Sequence, residues 1–286
     1  MKYIITSKSG YAGTSRSDTP DPTVVTEIAT ELVITRLYVI DLLNTGALSK
    51  SDTIVCNADR KCLYVNLFDN VISYSDFVRT RTREDLVIDL LEPSLFDRLA
   101  GGDVNHRLIP YKPFYQNWER DKNEILNIEY SPLENYDMSK PFVALVARKR
   151  GAWTEKNMDN TFWDNLVDRL TENNIPTFIF GKEAELFCRE GSTAVHVGTF
   201  QEWCSIIHHK NCKHVASTMT GALHAALVFG NPESKMTIID NLQLMAVHGN
   251  DPSFYNSCIN FSNIEISFIN QIPTTKEFYH AITKNL

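Results

Sequence analysis

Several features that would mark a specialised class of protein are missing from this sequence. No apolar run approaches the roughly 20 residues of a membrane-spanning helix. The six cysteines include no C-x-x-C pair, which argues against a zinc knuckle or a thioredoxin-type site. We expect these thiols to be reduced and mostly buried. An excess of positive charge is also absent, because 35 acidic residues outnumber 28 Lys and Arg and give a formal net charge of -7. Non-specific binding to nucleic acid through clustered Lys and Arg is therefore not expected.

Signals for targeting, metals and common cofactors are missing as well. The start, Met1–Thr6, becomes polar too soon for a signal peptide, so we expect a cytoplasmic protein. Neither the P-loop motif nor the G-x-G-x-x-G dinucleotide motif is present. No D-x-D carboxylate pair occurs, and the adjacent His208 and His209 point to different faces of a predicted helix. We therefore predict no metal site and no bound cofactor.

What remains is the composition of an ordinary globular protein. Hydrophobic residues make up 43% and charged residues 22% of the chain. The length of 286 residues favours about two domains. In the first half, strand patterns occur at Tyr3–Ser7, Thr53–Cys56, Leu63–Val65, Val71–Tyr74 and Arg107–Pro110. Helical patterns occur at Thr23–Leu43, Glu84–Leu91 and Pro93–Leu99.

The pattern of the second half is clearer. Phe142–Ala147 is an unbroken apolar run, as in a strand buried on both faces, and Asn160–Glu172 carries a single apolar stripe. Further strands are predicted at Thr177–Phe180, Ala194–Val197, His214–Ala216 and Met236–Ile239, with helices at Phe200–His208, Gly221–Phe229 and Thr275–Leu286. This alternation predicts an α/β fold with doubly wound, Rossmann-like parallel sheets. We place the domains at 1–135 and 136–272, followed by a helical segment at 273–286.

In such sheets ligands bind beyond the carboxyl ends of the strands, so the residues after each strand are the candidate site. The cations Arg148, Lys149 and Arg150 follow the first strand of the second half. They suit a diphosphate, although a solvated basic turn would look the same. Gly181 and Glu183 follow the next strand. Gly181 would let a ligand approach the protein backbone, and Glu183 could accept hydrogen bonds from a ribose or base. An ordinary surface turn that caps the next helix would look the same.

The segment Ser217–Ala226 follows the strand at 214–216 and opens a helix. Thr218, Thr220 and Gly221 lie at the helix start, where N–H groups and the helix dipole favour an anion. Gly221 lacks a Cβ and allows a phosphate to come close. His224 either hydrogen-bonds that phosphate or is simply a satisfied polar residue.

The order of Val195–Phe200, the helix to His208 and Ser217–Leu227 resembles the C-terminal domain of GT-B glycosyltransferases, in particular the heptosyltransferase-type family. In that family a Gly-Lys/Thr-Thr turn, a helix and an Asp-Ser-Gly-x-x-His-x-Ala-Ala segment follow in the same order. The resemblance covers about a third of the chain. It implies that Thr220, Gly221 and His224 hold the donor phosphates, with Arg148 or Lys149 helping. The Asp of the family falls on Met219, so the function of that carboxylate is absent here.

The resemblance also implies two Rossmann-like domains that face each other across a cleft. The second would bind a nucleotide-sugar donor, with UDP-sugar as the default, and the first a glycan or other hydroxyl acceptor. The resemblance leaves open whether the helix at 273–286 crosses back to the first domain. The proton of the acceptor needs a base. Asp18 is the first choice and Asp21, a plausible helix cap, the second, with Asp76 and His106 as weaker candidates.

The predicted activity is thus that of a metal-independent hexosyl- or pentosyltransferase. Two other classes remain open. One is a GT-B-like nucleotide-sugar epimerase, which would release nucleotide without any acceptor. The other is a non-catalytic domain that binds a nucleotide or a glycan, an alternative that the Met219 difference leaves open.

Overall fold

The computed structural model describes residues 2–7, 31–82, 84–90, 121–147, 157–181, 184–218, 220–240, 260–284 and 286. The chain divides into two units, Met1–Glu129 and Tyr130–Leu286. Two residues close to the predicted domain boundary bond within the second unit. The Ser131 N–H donates to Ser205 Oγ at 2.7 Å, and the Tyr136 hydroxyl lies 3.1 Å from Glu202 Oε1.

The first unit contains a four-stranded parallel sheet. Its strands are β1 (Lys2–Ile5), β2 (Thr53–Cys56), β3 (Asn70–Ser73) and β4 (Leu86–Asp89). They lie side by side in the order β3-β2-β1-β4. The central strands β1 and β2 are almost entirely buried, whereas β3 and β4 are largely half-buried. The Ile and Val side chains of β1 and β2 suit such a packed, pleated surface.

Short helices accompany this sheet. A π-helical turn at Glu31–Thr35 leads into α1 (Arg36–Asn44), and a 3₁₀-helix at Ala58–Leu63 follows β2; α2 (Tyr74–Thr80) and α3 (Lys122–Leu126) complete the described helices. α1 buries Leu37, Val39 and Ile40. Phe77 of α2 packs against Tyr3 of β1, with 5.0 Å between the ring centroids. The core of this unit therefore lies between the sheet and its helices.

The second unit contains a six-stranded parallel sheet. Its strands are β5 (Phe142–Val146), β6 (Thr177–Phe180), β7 (Ala194–Val197), β8 (Cys212–Thr218), β9 (Lys235–Ile239) and β10 (Glu265–Ile269). Their order is β10-β9-β8-β5-β6-β7. This is the strand order of the dinucleotide-binding Rossmann sheet. The direction of winding reverses between β5 and β8.

Four helices of the second unit position its core and its site: α4 (Asn160–Glu172), α5 (Phe200–His208), α6 (Gly221–Phe229) and α7 (Thr275–Thr283). α4 buries the whole predicted stripe of Phe162, Trp163, Leu166, Val167 and Leu170. Phe278 of α7 lies 5.5 Å from Phe162, centroid to centroid, and belongs to the same core cluster. The apolar face of the last helix is thus buried in the second unit. None of the described helices has the length and apolar character needed to cross a membrane.

Many of the predicted elements are confirmed. β2, β6, β7, α4, α5 and α6 begin and end at the predicted residues, and β5 ends one residue earlier than predicted. The helix predicted at Thr23–Leu43 is described only from residue 31, where a π-helical turn precedes α1. The elements predicted at Pro93–Leu99 and Arg107–Pro110 lie outside the described residues.

Two predictions for the first unit are wrong, and one strand was not predicted. Glu84–Leu91 was expected to be helical, but Leu86–Asp89 forms β4, which pairs with β1 in parallel register. Leu63–Val65 was expected to be a strand, but Leu63 ends the 3₁₀-helix that follows β2. In both places a short apolar run fits either structure. Pairing with β1 makes Leu86–Asp89 a strand, whereas the N–H groups of Tyr64 and Val65 bond locally to the Lys61 carbonyl. The strand that was not predicted is β10, Glu265–Ile269.

Candidate functional site

The carboxyl ends of β5 and β8 lie side by side where the strand order of the second sheet reverses. Val146 at the end of β5 is in register with Ser217 of β8. The buried Ser217 hydroxyl donates to the Val146 carbonyl at 2.7 Å and so joins the two strand ends. In open α/β sheets this reversal point is where ligands bind.

Thr218, the last residue of β8, carries a hydroxyl in an unusual environment. The residue is fully buried, and its Oγ1 has no hydrogen-bond partner among the residues that the structure describes. A buried hydroxyl that lacks a partner costs about 1–3 kcal/mol. A ligand oxygen that reached this strand end could accept the hydrogen bond.

The N-terminus of α6 follows immediately. Thr220 is its N-cap residue and has extended backbone angles, with φ -147° and ψ 153°. Its hydroxyl makes no capping hydrogen bond within the described part of the chain. The caps of α4, α5 and α7 differ, because Asp159, Thr199 and Thr274 each accept a bond from their own helix. The first turn of α6 therefore presents N–H groups and a helix dipole that suit an anion.

Thr220, Gly221 and His224 are all half-buried and share one face of this first turn, because residues three and four apart are neighbours on a helix. His224 Nδ1 lies 3.3 Å from the Thr220 carbonyl oxygen. A carbonyl only accepts, so Nδ1 carries the proton in this contact. Nε2 is then an acceptor in the neutral ring and a donor in the charged ring. The imidazole can thus serve as a hydrogen-bonding group beside the helix start.

Gly181, directly after β6, has a steric reason to be glycine. Its φ is +146°, and a Cβ at this position would lie 2.5 Å from the Ala147 carbonyl oxygen. Ala147 in turn donates its N–H to the Phe180 carbonyl at 3.2 Å. The absence of a side chain lets the ends of β5 and β6 pack closely, beside the strand ends of the candidate site.

Seven of the predicted site residues cannot be placed. The following lie outside the described residues: Asp18, Asp21, His106, Arg148, Lys149, Arg150 and Glu183. Their roles stay predictions. Of the other predicted residues, the structure brings Thr218, Thr220, Gly221 and His224 together at one strand end and one helix start.

Asp76, one of the two weaker base candidates, has a structural role. It lies in the first turn of α2, where its carboxylate accepts from the Ser73 hydroxyl at 2.6 Å and pairs with Arg79. The hydrogen bonds from Ser73 and then Arg79 hold the pKa of Asp76 below its usual value. A carboxylate with a lowered pKa is a weaker proton acceptor, which disfavours Asp76 as a general base.

Sequence reasoning missed one buried carboxylate near the site. Asp240 directly follows β9 and is fully buried, and its N–H donates to the Ile269 carbonyl at 2.9 Å. Thr218, the last residue of β8, is in register with Ile239, the last residue of β9. Asp240 therefore directly follows the strand end that neighbours Thr218. A polar residue directly after an apolar strand was the signal that could have singled it out.

No protein-family model and no curated protein sequence matches the chain. Solved structures do match. E. coli heptosyltransferase WaaC with ADP aligns with a TM-score of 0.51 at 11% identity, over 100% of both chains. A glycosyl transferase family 9 protein from Veillonella parvula DSM 2008 aligns with a TM-score of 0.50 at 10% identity, over 94% of this chain and 85% of that chain. The chain therefore has a heptosyltransferase-like α/β fold with parallel sheets.

Proposed function

We propose that the protein is a glycosyltransferase that binds a nucleoside-diphosphate sugar at the carboxyl ends of β5 and β8. The observation that carries this proposal combines two features: the start of α6, where Thr220 makes no capping bond within the described residues, and the buried hydroxyl of Thr218. Both lie where the strand order of a Rossmann sheet reverses. The helix N–H groups and dipole attract a phosphate, and the hydroxyl can donate to it.

In this proposal Thr218, Thr220, Gly221 and His224 contact the diphosphate. Arg148 and Lys149, which follow β5 in sequence, add positive charge. Gly181 and Glu183, which follow β6, belong to the nucleoside side of the same site. Positive charge and the helix dipole stabilise the leaving diphosphate, so the reaction needs no metal ion and no further cofactor.

The acceptor binds to the first unit, in keeping with the two-domain arrangement that the family resemblance implies. The acceptor oxygen forms a bond to the anomeric carbon while the bond from that carbon to the diphosphate breaks. The proton of the acceptor hydroxyl passes to a carboxylate, for which Asp18 and Asp21 are the candidates. A glycan hydroxyl is the proposed acceptor.

An ADP-sugar is the first donor to test. Two of the similar solved structures are described as heptosyltransferase with ADP and with ADP-2-deoxy-2-fluoro heptose. UDP-sugars, the frequency-based expectation, are the second donor class. Calorimetric titration with ADP, UDP and GDP decides between them.

The test of the site uses two valine substitutions of buried threonines. Thr218→Val and Thr35→Val each remove a hydroxyl that has no partner among the described residues. Both should raise the free energy of unfolding of the unliganded protein by about 1 kcal/mol, because an unsatisfied group disappears. Only Thr218→Val should weaken nucleoside-diphosphate binding, by about tenfold.

The possible results separate the competing functions. If the unmodified protein binds none of the three nucleotides, the donor site is excluded. Equal affinity of both variants for the nucleotide would exclude Thr218 from the site. Binding without transfer to any acceptor would favour a non-catalytic nucleotide-binding protein, and release of nucleotide without acceptor would favour an epimerase.

A further inference from the structure

Trp203 of α5 contacts the first turn of α6 directly. Its side chain is fully buried, and its indole Nε1–H donates to the Ala222 carbonyl at 3.1 Å. Ala222 is the second residue of α6, next to Gly221. The indole is therefore attached to the same helical turn whose N–H groups form the proposed phosphate site.

A second contact of Trp203 lies at the end of β6. The indole stacks on the ring of Phe180, with 5.4 Å between centroids and 14° between the planes. Phe180 is the last residue of β6 and directly precedes Gly181. Trp203 thus contacts both the end of β6 and the start of α6, the helix that follows β8.

α5 is itself held firmly at the turn that carries this tryptophan. Thr199 and Glu202 form a capping box, in which the Thr199 hydroxyl accepts from the Glu202 N–H and the Glu202 carboxylate accepts from the Thr199 N–H. Glu202 also accepts from the Tyr136 hydroxyl at 3.1 Å. The indole therefore projects from the first turn of α5, where the capping box satisfies the backbone N–H groups of Thr199 and Glu202.

The first turn of α6 has little local support of this kind. Thr220 makes no side-chain cap among the described residues, and Gly221 has the weakest helix preference apart from proline. The Ala222 carbonyl has two lone pairs, so it can accept the indole N–H as well as a helical N–H. The direction of the N–H groups at this turn then depends on tertiary contacts, of which the Trp203 bond is one.

We propose that Trp203 is a positioning residue for the donor diphosphate, acting through the first turn of α6. This inference rests on the proposed function, because it concerns the same phosphate site. The indole does not touch the ligand. It holds in place the helical turn whose first N–H groups do, because the Leu223 N–H of the same peptide already donates to the Thr220 carbonyl at 3.1 Å. Phosphate sites of this kind depend on geometry within about 0.5 Å.

The test compares two tryptophans of the second unit. Trp203→Phe removes the N–H donor and keeps a ring that can stack on Phe180. Trp163→Phe is the matched control, because Trp163 is 2% exposed and its Nε1 has no partner within the described residues. Calorimetry with ADP and with adenosine measures both variants and the unmodified protein; if the unmodified protein binds UDP or GDP instead, that diphosphate and its nucleoside replace them.

Loss of one hydrogen bond that positions the turn should weaken ADP binding by about tenfold in Trp203→Phe. Affinity for adenosine, which lacks phosphates, should stay unchanged, and Trp163→Phe should bind both ligands as the unmodified protein does. Replacement of Trp203 by benzothienylalanine keeps the bicyclic shape and lacks the N–H. It should reproduce the loss even if the smaller phenyl ring disturbs folding.

Three results would overturn the inference. Unchanged ADP affinity in the benzothienylalanine protein would show that the N–H has no positioning role. Equal losses for ADP and adenosine would indicate a general structural effect. Failure of the unmodified protein to bind ADP, UDP or GDP would remove the proposed function and this inference with it, whereas the first two results leave the proposed function intact.

Discussion

Glu31 and Arg60 form an ion pair inside the first unit, with Arg60 Nη1 3.1 Å from Glu31 Oε2 and side chains only 0% and 4% exposed. Glu31 also accepts hydrogen bonds from the Ser7 hydroxyl at 2.9 Å and the Tyr64 hydroxyl at 3.1 Å. Ser7 follows β1, and Arg60 lies in the 3₁₀-helix after β2. The pair therefore ties together the carboxyl ends of the two central strands.

This pair predicts a specific pH dependence of stability. Burial raises the pKa of Glu31 above its ordinary value of 4.5, against the lowering effects of Arg60, Ser7 and Tyr64. An acid with a raised pKa in the folded state stabilises the protein fully below pH 4.5, and that contribution is lost as the pH rises through the folded pKa. Denaturation with urea should show this decline in the unmodified protein and not in Glu31→Gln. Parallel curves for the two proteins would contradict it.

Removal of the cation alone should be costly. Arg60→Met leaves the buried Glu31 carboxylate without its ion pair and should lower the free energy of unfolding by about 3–5 kcal/mol. The double variant Glu31→Gln with Arg60→Met should recover most of this loss. Lys213→Met is the control, because Lys213 pairs with Glu233 at 3.6 Å on the surface and should cost at most about 1 kcal/mol. Similar losses for the two single variants would refute a special cost of the buried pair.

Gly181 and Gly191 allow steric overlap to be separated from backbone strain. Both have positive φ, but only at Gly181 would a Cβ meet a neighbour, the Ala147 carbonyl oxygen at 2.5 Å. Gly191→Ala should cost about 1–2 kcal/mol for the backbone conformation alone. Gly181→Ala should cost clearly more, because the ends of β5 and β6 must also move apart. Thermal unfolding measures both, and equal losses would mean that the strand ends adjust freely.

His214 of β8 predicts sensitivity to acid. It is 2% exposed, its Nε2 lies 2.8 Å from Thr237 Oγ1, and burial lowers its pKa from 6.5 to about 3. A base with a lowered folded pKa contributes stability above pH 6.5 that is lost as the pH falls towards 3. The expected slope is about 1.4 kcal/mol per pH unit. His214→Gln should remove this part of the acid dependence in urea titrations, and an unchanged slope would contradict the assignment.

The second unit could be predicted closely because its signals are local. Phe142–Ala147 is apolar throughout since β5 lies inside the sheet, and α4 shows its single buried stripe in the sequence itself. β4 could not be predicted in the same way. Its residues, Leu86–Asp89, are half-buried or exposed, and the short apolar run fits a helix as well as a strand. Pairing with β1, more than eighty positions earlier in the chain, makes it a strand.

The candidate site was predictable in position but not in detail. Polar residues directly after apolar strands pointed to Thr218, Thr220, Gly221 and His224. In the part of the chain that the structure describes, the Thr220 hydroxyl does not cap its helix, and the Trp203 indole bonds to the same turn. Neither feature could be read from these residues. Threonine is a common N-cap residue, so Thr220 looked ordinary in the sequence. Trp203 looked like one more apolar residue on the buried face of α5.

By itself the sequence determined the alternation of strands and helices in the second unit and the start of most of its helices, because hydrophobic periodicity and capping residues act over a few neighbouring positions. Only the tertiary structure decided that β5 lies between β6 and β8, that Glu31 meets Arg60, and that the Trp203 indole reaches Ala222. These are contacts between residues far apart in the chain, and their stability comes from burial that no local segment can provide alone.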